Sequence, residues 1–374
     1  MVALWASGMN WESSAASVPF RILIVILSSV LALKFFPASD WFRRSPWLIA
    51  FWVLYLARLS WDYLVIEVPG AGEAMFFFIS TALLPSVALG MAGVRFLPER
   101  STAWLLAIIG GLASVLALFV EFSGLGAERS LMEATGRLSF EALNPISIGH
   151  AAATTLLAVI CLLRYRMSTA PRLLMVILSL AAFACLLLAG SRGPIVALVL
   201  GVAVLTVVYR RWCVLVIVGL LLVPPFLIDG SPLVSRLTDG AADESSQERV
   251  TLQMSAIDQF SLNPVLGSAF IDIETKTYPH NIFLEAAMAM GFVGPIVLAV
   301  VVLITLLKSW VLIRRQQLLI PLLFIQYFVA NQLSGSLWGA APLWALTAVL
   351  MSSTMPLKKK KCEITKISGS TAVT

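Results

Sequence analysis

Residues 281–307 read NIFLEAAMAMGFVGPIVLAVVVLITLL, 27 residues with Glu285 as the single charge. About 20 apolar residues suffice to cross the hydrocarbon core of a bilayer as a helix. The spacing predicts one helix over the whole stretch. Further apolar runs lie at 20–36, 47–66, 75–97, 103–123, 146–165, 172–190, 194–209, 211–228, 317–332 and 341–355. Backbone groups in lipid must satisfy one another, so each run is expected to be helical. Pro85 and the Pro224-Pro225 pair are expected to kink or end their helices. Composition agrees: 59% of the residues are hydrophobic and 12% charged, where a soluble domain carries about a quarter charged. The expected fold is an all-α polytopic integral membrane protein of about eleven transmembrane helices.

Lysine and arginine are retained on the cytoplasmic side, which sets the orientation. One set of connections holds Arg43, Arg44, Arg95, Arg100, Arg164, Arg166, Arg172, Arg210, Arg211, Lys308, Arg314 and Arg315, and the tail adds Lys358 to Lys361 and Lys366. The opposite loops hold only Arg129, Arg137, Arg192, Arg236, Arg249 and Lys276. The chain thus divides into N-terminal transmembrane helices over 1–228, a large outer loop over 229–280, C-terminal transmembrane helices over 281–357 and a basic cytoplasmic tail over 358–374. An odd helix count places the N-terminus outside. No cleavable signal peptide is expected, because Met1 to Val18 lacks a basic start and contains Glu12.

Several chemistries are set aside. The basic residues lie between apolar runs, which does not suggest nucleic-acid binding. No P-loop pattern is present, so ATP-driven transport by this chain is not expected. Cys161, Cys185, Cys213 and Cys362 form no CxxC pair, and no close acidic pair or His/Cys cluster suggests a metal site.

Against that background the outer basic residues stand out. Arg192 lies in the tight turn Gly190-Ser191-Arg192-Gly193-Pro194 between two apolar runs. It reads either as a guanidinium snorkelling to headgroups or as an anion site at the outer surface. Arg249 begins a segment with Val250, Met254 and Ile257 at helical spacing, which reads as an amphipathic helix on the membrane surface ended by Asn263-Pro264. Alone, such an arginine is more often a solvated surface charge. His280 closes the outer loop and opens a helix. It reads either as an interfacial or capping residue or as an imidazole able to take a hydroxyl proton at neutral pH. His150 reads as a packed residue, Arg58 and Asp62 as a paired helix-packing device, and Trp338 and Trp344 as interfacial anchors.

These residues carry a family resemblance. Ser191-Arg192-Gly193, a large outer loop with an arginine, Asn263-Pro264-Val265-Leu266-Gly267 and then His280-Asn281 resemble the O-antigen ligase and polymerase superfamily. The most specific piece is His280-Asn281, nine residues, then Gly291-Phe292-Val293-Gly294, which matches the ligase-type pattern. Arg137 and Asn144-Pro145 also fall where such proteins often have an Arg and an Asn-Pro. The resemblance covers roughly 135–300. Family members are usually described with twelve helices and both ends inside, against the eleven counted here.

The resemblance implies a C-type glycosyltransferase that uses neither metal nor other cofactor. Its donor would be a glycan on undecaprenyl pyrophosphate, presented at the periplasmic face of the bacterial inner membrane. Arg192 and Arg249 would stabilise the departing diphosphate. His280 would act as general base on the acceptor hydroxyl, and Asn281, which would position it, and Arg137 would join Arg192 and Arg249 in substrate binding. Glu285 reads as structural. The acceptor would be lipid A–core for a ligase, another lipid-linked repeat unit for a polymerase, or a protein hydroxyl in a third branch. From another class, a polyprenyl-glycan flippase or secondary transporter remains the competing reading.

Overall fold

The computed structural model describes residues 14–94, 97–123, 137–140, 144–210, 219 and 244–353. Beside a single-turn helix at Trp41–Arg44, its helices are α1 (Ser14–Phe35), α2 (Pro46–Leu64), α3 (Ala71–Ala92), α4 (Glu99–Ser123), α5 (Pro145–Leu162), α6 (Thr169–Leu188), α7 (Arg192–Tyr209), α8 (Glu244–Leu262), α9 (Ile282–Met290), α10 (Val293–Arg314), α11 (Leu319–Leu333) and α12 (Ala341–Ser352). Among the described residues six helices are long and apolar enough to cross a membrane: α1 from Val18, α3, α4, α5, α6 and α10. Three shorter apolar helices coincide with α7, α11 and α12. Large apolar side chains such as Leu105, Leu112, Leu116 and Phe119 on α4 point outward, an arrangement that lipid accepts and water does not. The protein is a multi-pass membrane protein. The 211–228 run apart from Gly219, loop residues 229–243 and the 358–374 tail lie outside the described residues.

Two cores form, and α11 belongs to both. One gathers α2, α3, α9, α10 and α12; the other gathers α4, α5, α6 and α7. Leu319, Leu322 and Leu323 face the second core, while Ile320, Phe324, Tyr327 and Ala330 face the first. The 3.6-residue period makes this possible, since positions three or four apart share a face. Near its C-terminal end α11 still touches both halves, since Tyr327 meets Thr154 of α5 and Leu333 meets Gly193 of α7.

Pro85 does not break α3. The helix widens into a π-helical segment at Phe78–Leu83 just before it, a usual way to absorb a missing N–H. Ser80, Thr81 and Ser86 hydroxyls donate to the carbonyls of Phe76, Phe77 and Ala82 at 2.8, 2.8 and 2.5 Å.

Two expectations need correction. The 281–307 run is not one helix: it breaks at Gly291, whose φ is +62°, into α9 and α10. The Phe292 N–H donates to Pro264 O at 2.8 Å instead of continuing the ladder. Hydropathy averages over such a break and is blind to it. Trp344 is not an interfacial anchor. It is 1% exposed in the first core, and its indole N–H donates to Leu337 O at 2.8 Å.

The two ends of the bundle differ in chemistry. At one end Arg44 donates to Ser352 O, Lys308 donates to Met351 O and Ser353 O, and Arg164 pairs with Glu99 at 3.0 Å. At the other end lie the starts of α7, α9 and α12, the end of α11, and the 263–280 segment.

Candidate active site

The 263–267 segment crosses the end of α9 and Gly291 in close backbone contact, and Gly294 packs the start of α10 against α9. A Cβ on Gly267 would lie 2.4 Å from the Ala289 carbonyl, one on Gly291 2.3 Å from Val265 O, and one on Gly294 2.2 Å from Ala286 O. Gly267 and Gly291 also have positive φ, a region that L side chains enter at a cost. Ser268 N–H donates to Met288 O at 2.9 Å across the same crossing. The Gly-x-x-Gly element is thus scaffolding that seats the outer loop on α9. Gly291→Ala should cost about 2–5 kcal/mol from overpacking and left-handed strain together. The check is thermal stability of detergent-extracted protein; a variant with unchanged melting would overturn this role.

The loop is held from two further sides. The Arg58 guanidinium pairs with Asp62 at 2.5 Å and also donates to Ser268 O, while Asp62 accepts from Phe270 N–H at 2.8 Å. The pair thus binds the loop to α2 as well as binding itself. On the other side, Gln259 of α8 donates to Ile271 O at 3.1 Å and accepts from Ile273 N–H at 2.9 Å, and Ser255 donates to Asp272. Those contacts fix how α8 lies. Val250 and Met254 are 59% and 61% exposed while Leu252 and Ala256 pack inward, which matches an amphipathic helix with one apolar stripe turned away from the protein.

His280 ends this braced segment. Its φ is +56°, uncommon for a residue with a side chain and concentrated at functional positions. The ring packs against Tyr278, with centroids 4.5 Å apart. Burial first, and then the Arg249 charge, hold its pKa below the ordinary 6.5. A hydrogen bond to the Ser334 backbone and the charge of Glu248 oppose that shift. Nδ1 is buried with no hydrogen-bond partner in the protein. A neutral imidazole with an open nitrogen can accept a proton.

The other candidates meet His280 at the end of α11. Arg249 donates to Leu333 O at 3.1 Å. The N-terminus of α7 packs on the same residue: a Cβ on Gly193 would lie 3.8 Å from Leu333 Cδ1. Arg192 is the first residue of α7, beside Gly193. Arg137 reaches the turn before it, donating to Ala189 O at 3.0 Å and Ser191 Oγ at 2.5 Å. Its contacts brace the Arg192 turn. Asn281 caps α9, accepting from Phe283 and Leu284 N–H at 3.0 and 3.2 Å, and its amide donates to Gln332 O at 3.4 Å. That is the capping role its residue type suits, and it fixes the turn that carries His280.

Residues 174–299 match the O-antigen ligase family model.

The match supports the O-antigen ligase and polymerase superfamily, over about a third of the chain. It includes Arg192, Arg249, His280, Asn281 and both motif glycines, and stops short of α11. No curated protein matches the chain.

Sequence reasoning missed the 332–334 end of α11, which supplies backbone carbonyls rather than a recognisable side chain. Glu285 is placed as expected of a structural residue. It is fully buried, accepting from the Tyr55 hydroxyl at 2.9 Å and Leu337 N–H at 2.8 Å, so it ties α2 and α9 to the turn before α12. His150 is packed in α5 beside Tyr327, and the Gln326 amide donates to its carbonyl at 2.9 Å.

Proposed function

We propose that this protein transfers a glycan from undecaprenyl pyrophosphate to an acceptor hydroxyl at the periplasmic face of the inner membrane. A ligase acting on lipid A–core is the best-supported form. The observation that carries the reading is the convergence of His280, Arg249 and the Arg192 turn on the C-terminal end of α11.

In the reaction the acceptor oxygen bonds to the anomeric carbon of the donor sugar while its proton passes to the imidazole of His280. The bond from that carbon to the diphosphate oxygen breaks, and undecaprenyl diphosphate leaves with the electron pair. Negative charge grows on the leaving group as that bond breaks. Planar guanidinium groups placed in advance can grip its oxygens with paired hydrogen bonds, without reorganising solvent at the moment of reaction. Arg192 and Arg249 take that role. Arg137 keeps the Arg192 turn in place and contributes to donor binding through it, and Asn281 sets the direction of the His280 turn. The outward apolar surface of the helices carries the polyprenyl chain.

Polymerisation, with a second lipid-linked repeat unit as acceptor, is the alternative within the family. A transporter is disfavoured: its substrate site would be expected near the bilayer midplane, at broken helices, whereas these side chains gather at one end of the bundle.

Deletion of the gene decides among these readings. Lipopolysaccharide from the deletion strain should lose every long chain from its core, with long chains accumulating on undecaprenyl carriers. A core capped with a single repeat unit would move the assignment to polymerase. An unchanged banding pattern would overturn the glycosyltransferase reading.

A further inference from the structure

Beside His280 the outer end of the bundle has a cavity of about 210 Å³ that the reaction above does not use. Gly70 and Glu73 at the start of α3, Lys276 and Tyr278 of the loop, Phe270 and Trp338 contribute to its lining. Tyr278 is shared, since it lines the cavity and also packs against the imidazole of His280 at 4.5 Å. Trp338 lies next to Tyr278, with centroids 6.2 Å apart, and Phe77 supports it from behind at 5.5 Å. Each wall is braced: the loop by Arg58, Asp62 and α8, and the turn before Trp338 by Glu285 through Leu337.

The lining suits one class of ligand. A pyranose has apolar C–H faces that lie against aromatic rings and hydroxyls that both donate and accept. Tyr278 and Trp338 supply rings, Glu73 supplies acceptors and Lys276 supplies donors. The volume is below that of a drug-sized ligand site, and fits a single sugar unit rather than a chain. Position separates acceptor from donor. Trp338, Phe270 and Ala74 belong to the first core or pack on it, whereas the Arg192 turn packs on the second. The cavity thus lies on the Tyr278 side of His280, and the Arg192 turn lies toward the second core. A sugar whose hydroxyl reaches His280 can continue past Tyr278 into the cavity.

We propose that this cavity is the acceptor-saccharide subsite, with Glu73 and Lys276 as its polar contacts and Tyr278 and Trp338 as its ring walls. The assignment of acceptor over donor rests on the proposed function; saccharide binding as such does not. The experiment uses the full chain in nanodiscs and two soluble probes. One is core oligosaccharide freed from lipid A by mild acid, and the other is the oligosaccharide of the strain's own repeat unit. Binding is read by saturation-transfer NMR, with no turnover required. At least one probe should bind, and Glu73→Gln and Lys276→Gln should each weaken it about tenfold, near 1.4 kcal/mol. In transfer assays the same variants should raise KM for the acceptor by a similar factor, with kcat and donor KM held. Binding of neither probe, or binding that both substitutions leave intact, overturns the subsite. A rise in donor KM instead overturns the acceptor assignment. Loss of transfer in the unsubstituted protein, with probe binding still sensitive to Glu73 and Lys276, sinks the proposed reaction and leaves the saccharide site standing.

Discussion

Replacing His280 with alanine should lower transfer by about 10²- to 10⁴-fold, the usual worth of a positioned general base, while donor binding persists. The residue's left-handed backbone makes the control important. Asparagine is at ease at positive φ, so His280→Asn should accumulate to normal levels and be as inactive as His280→Ala. The pH profile carries a second signature. A general base works as the neutral imidazole, so on this proposal kcat/KM should rise with pH and level off. Burial and Arg249 both disfavour the protonated ring, so the inflection should fall below 6.5. Removing a positive neighbour makes protonation easier, so Arg249→Gln should move the inflection upward. A flat profile, an inflection indifferent to Arg249, or a His280→Ala protein that no longer binds donor would remove His280 from the base role.

The arginines should separate from the histidine by which substrate they affect. Arg192→Lys keeps the charge and loses the planar, paired donors. It should lower transfer at least about tenfold, or roughly 1.4 kcal/mol of transition-state stabilisation, with protein level unchanged. Arg249→Ala should weaken donor binding as well as turnover, and more acceptor should not restore either. The measurement is binding of undecaprenyl-diphosphate glycan to purified protein beside single-turnover transfer. Arg249 also donates to Leu333 O, so Arg249→Lys separates loss of that anchor from loss of the guanidinium. Full activity in Arg192→Lys, or disappearance of that protein from the membrane, would return Arg192 to a structural role.

How much of the site could be read in advance differs residue by residue. Arg192, Arg249 and His280 could be singled out as candidates because each breaks a local rule. Two are cations on the side that disfavours them, and the third is an imidazole at the mouth of a helix beside an Asn. The Gly-x-x-Gly pair was legible as a pattern but not as a cause. Its work is the approach of Gly267 to Ala289 and of Gly291 to Val265, contacts across more than twenty residues of chain. Asn281 was read toward the substrate, whereas its side chain caps α9. A capping Asn and a binding Asn are the same letter until the neighbouring N–H groups are in place.

By itself the sequence determined the membrane class, the helical runs and their charge asymmetry, and the residue types able to hold a diphosphate and accept a proton. Those properties are local, since hydropathy, charge and short motifs act over about one helix length. Only the tertiary structure decided that 281–307 breaks in two, that Trp344 is core, that Arg249, His280 and the Arg192 turn meet at the end of α11, and that Arg137 braces that turn. These depend on backbone dihedrals and on packing between segments far apart in the chain. For Arg249, Asn281 and His280 the partners at the meeting point are backbone groups at 332–334, which every residue type carries, so no side-chain pattern could have marked them.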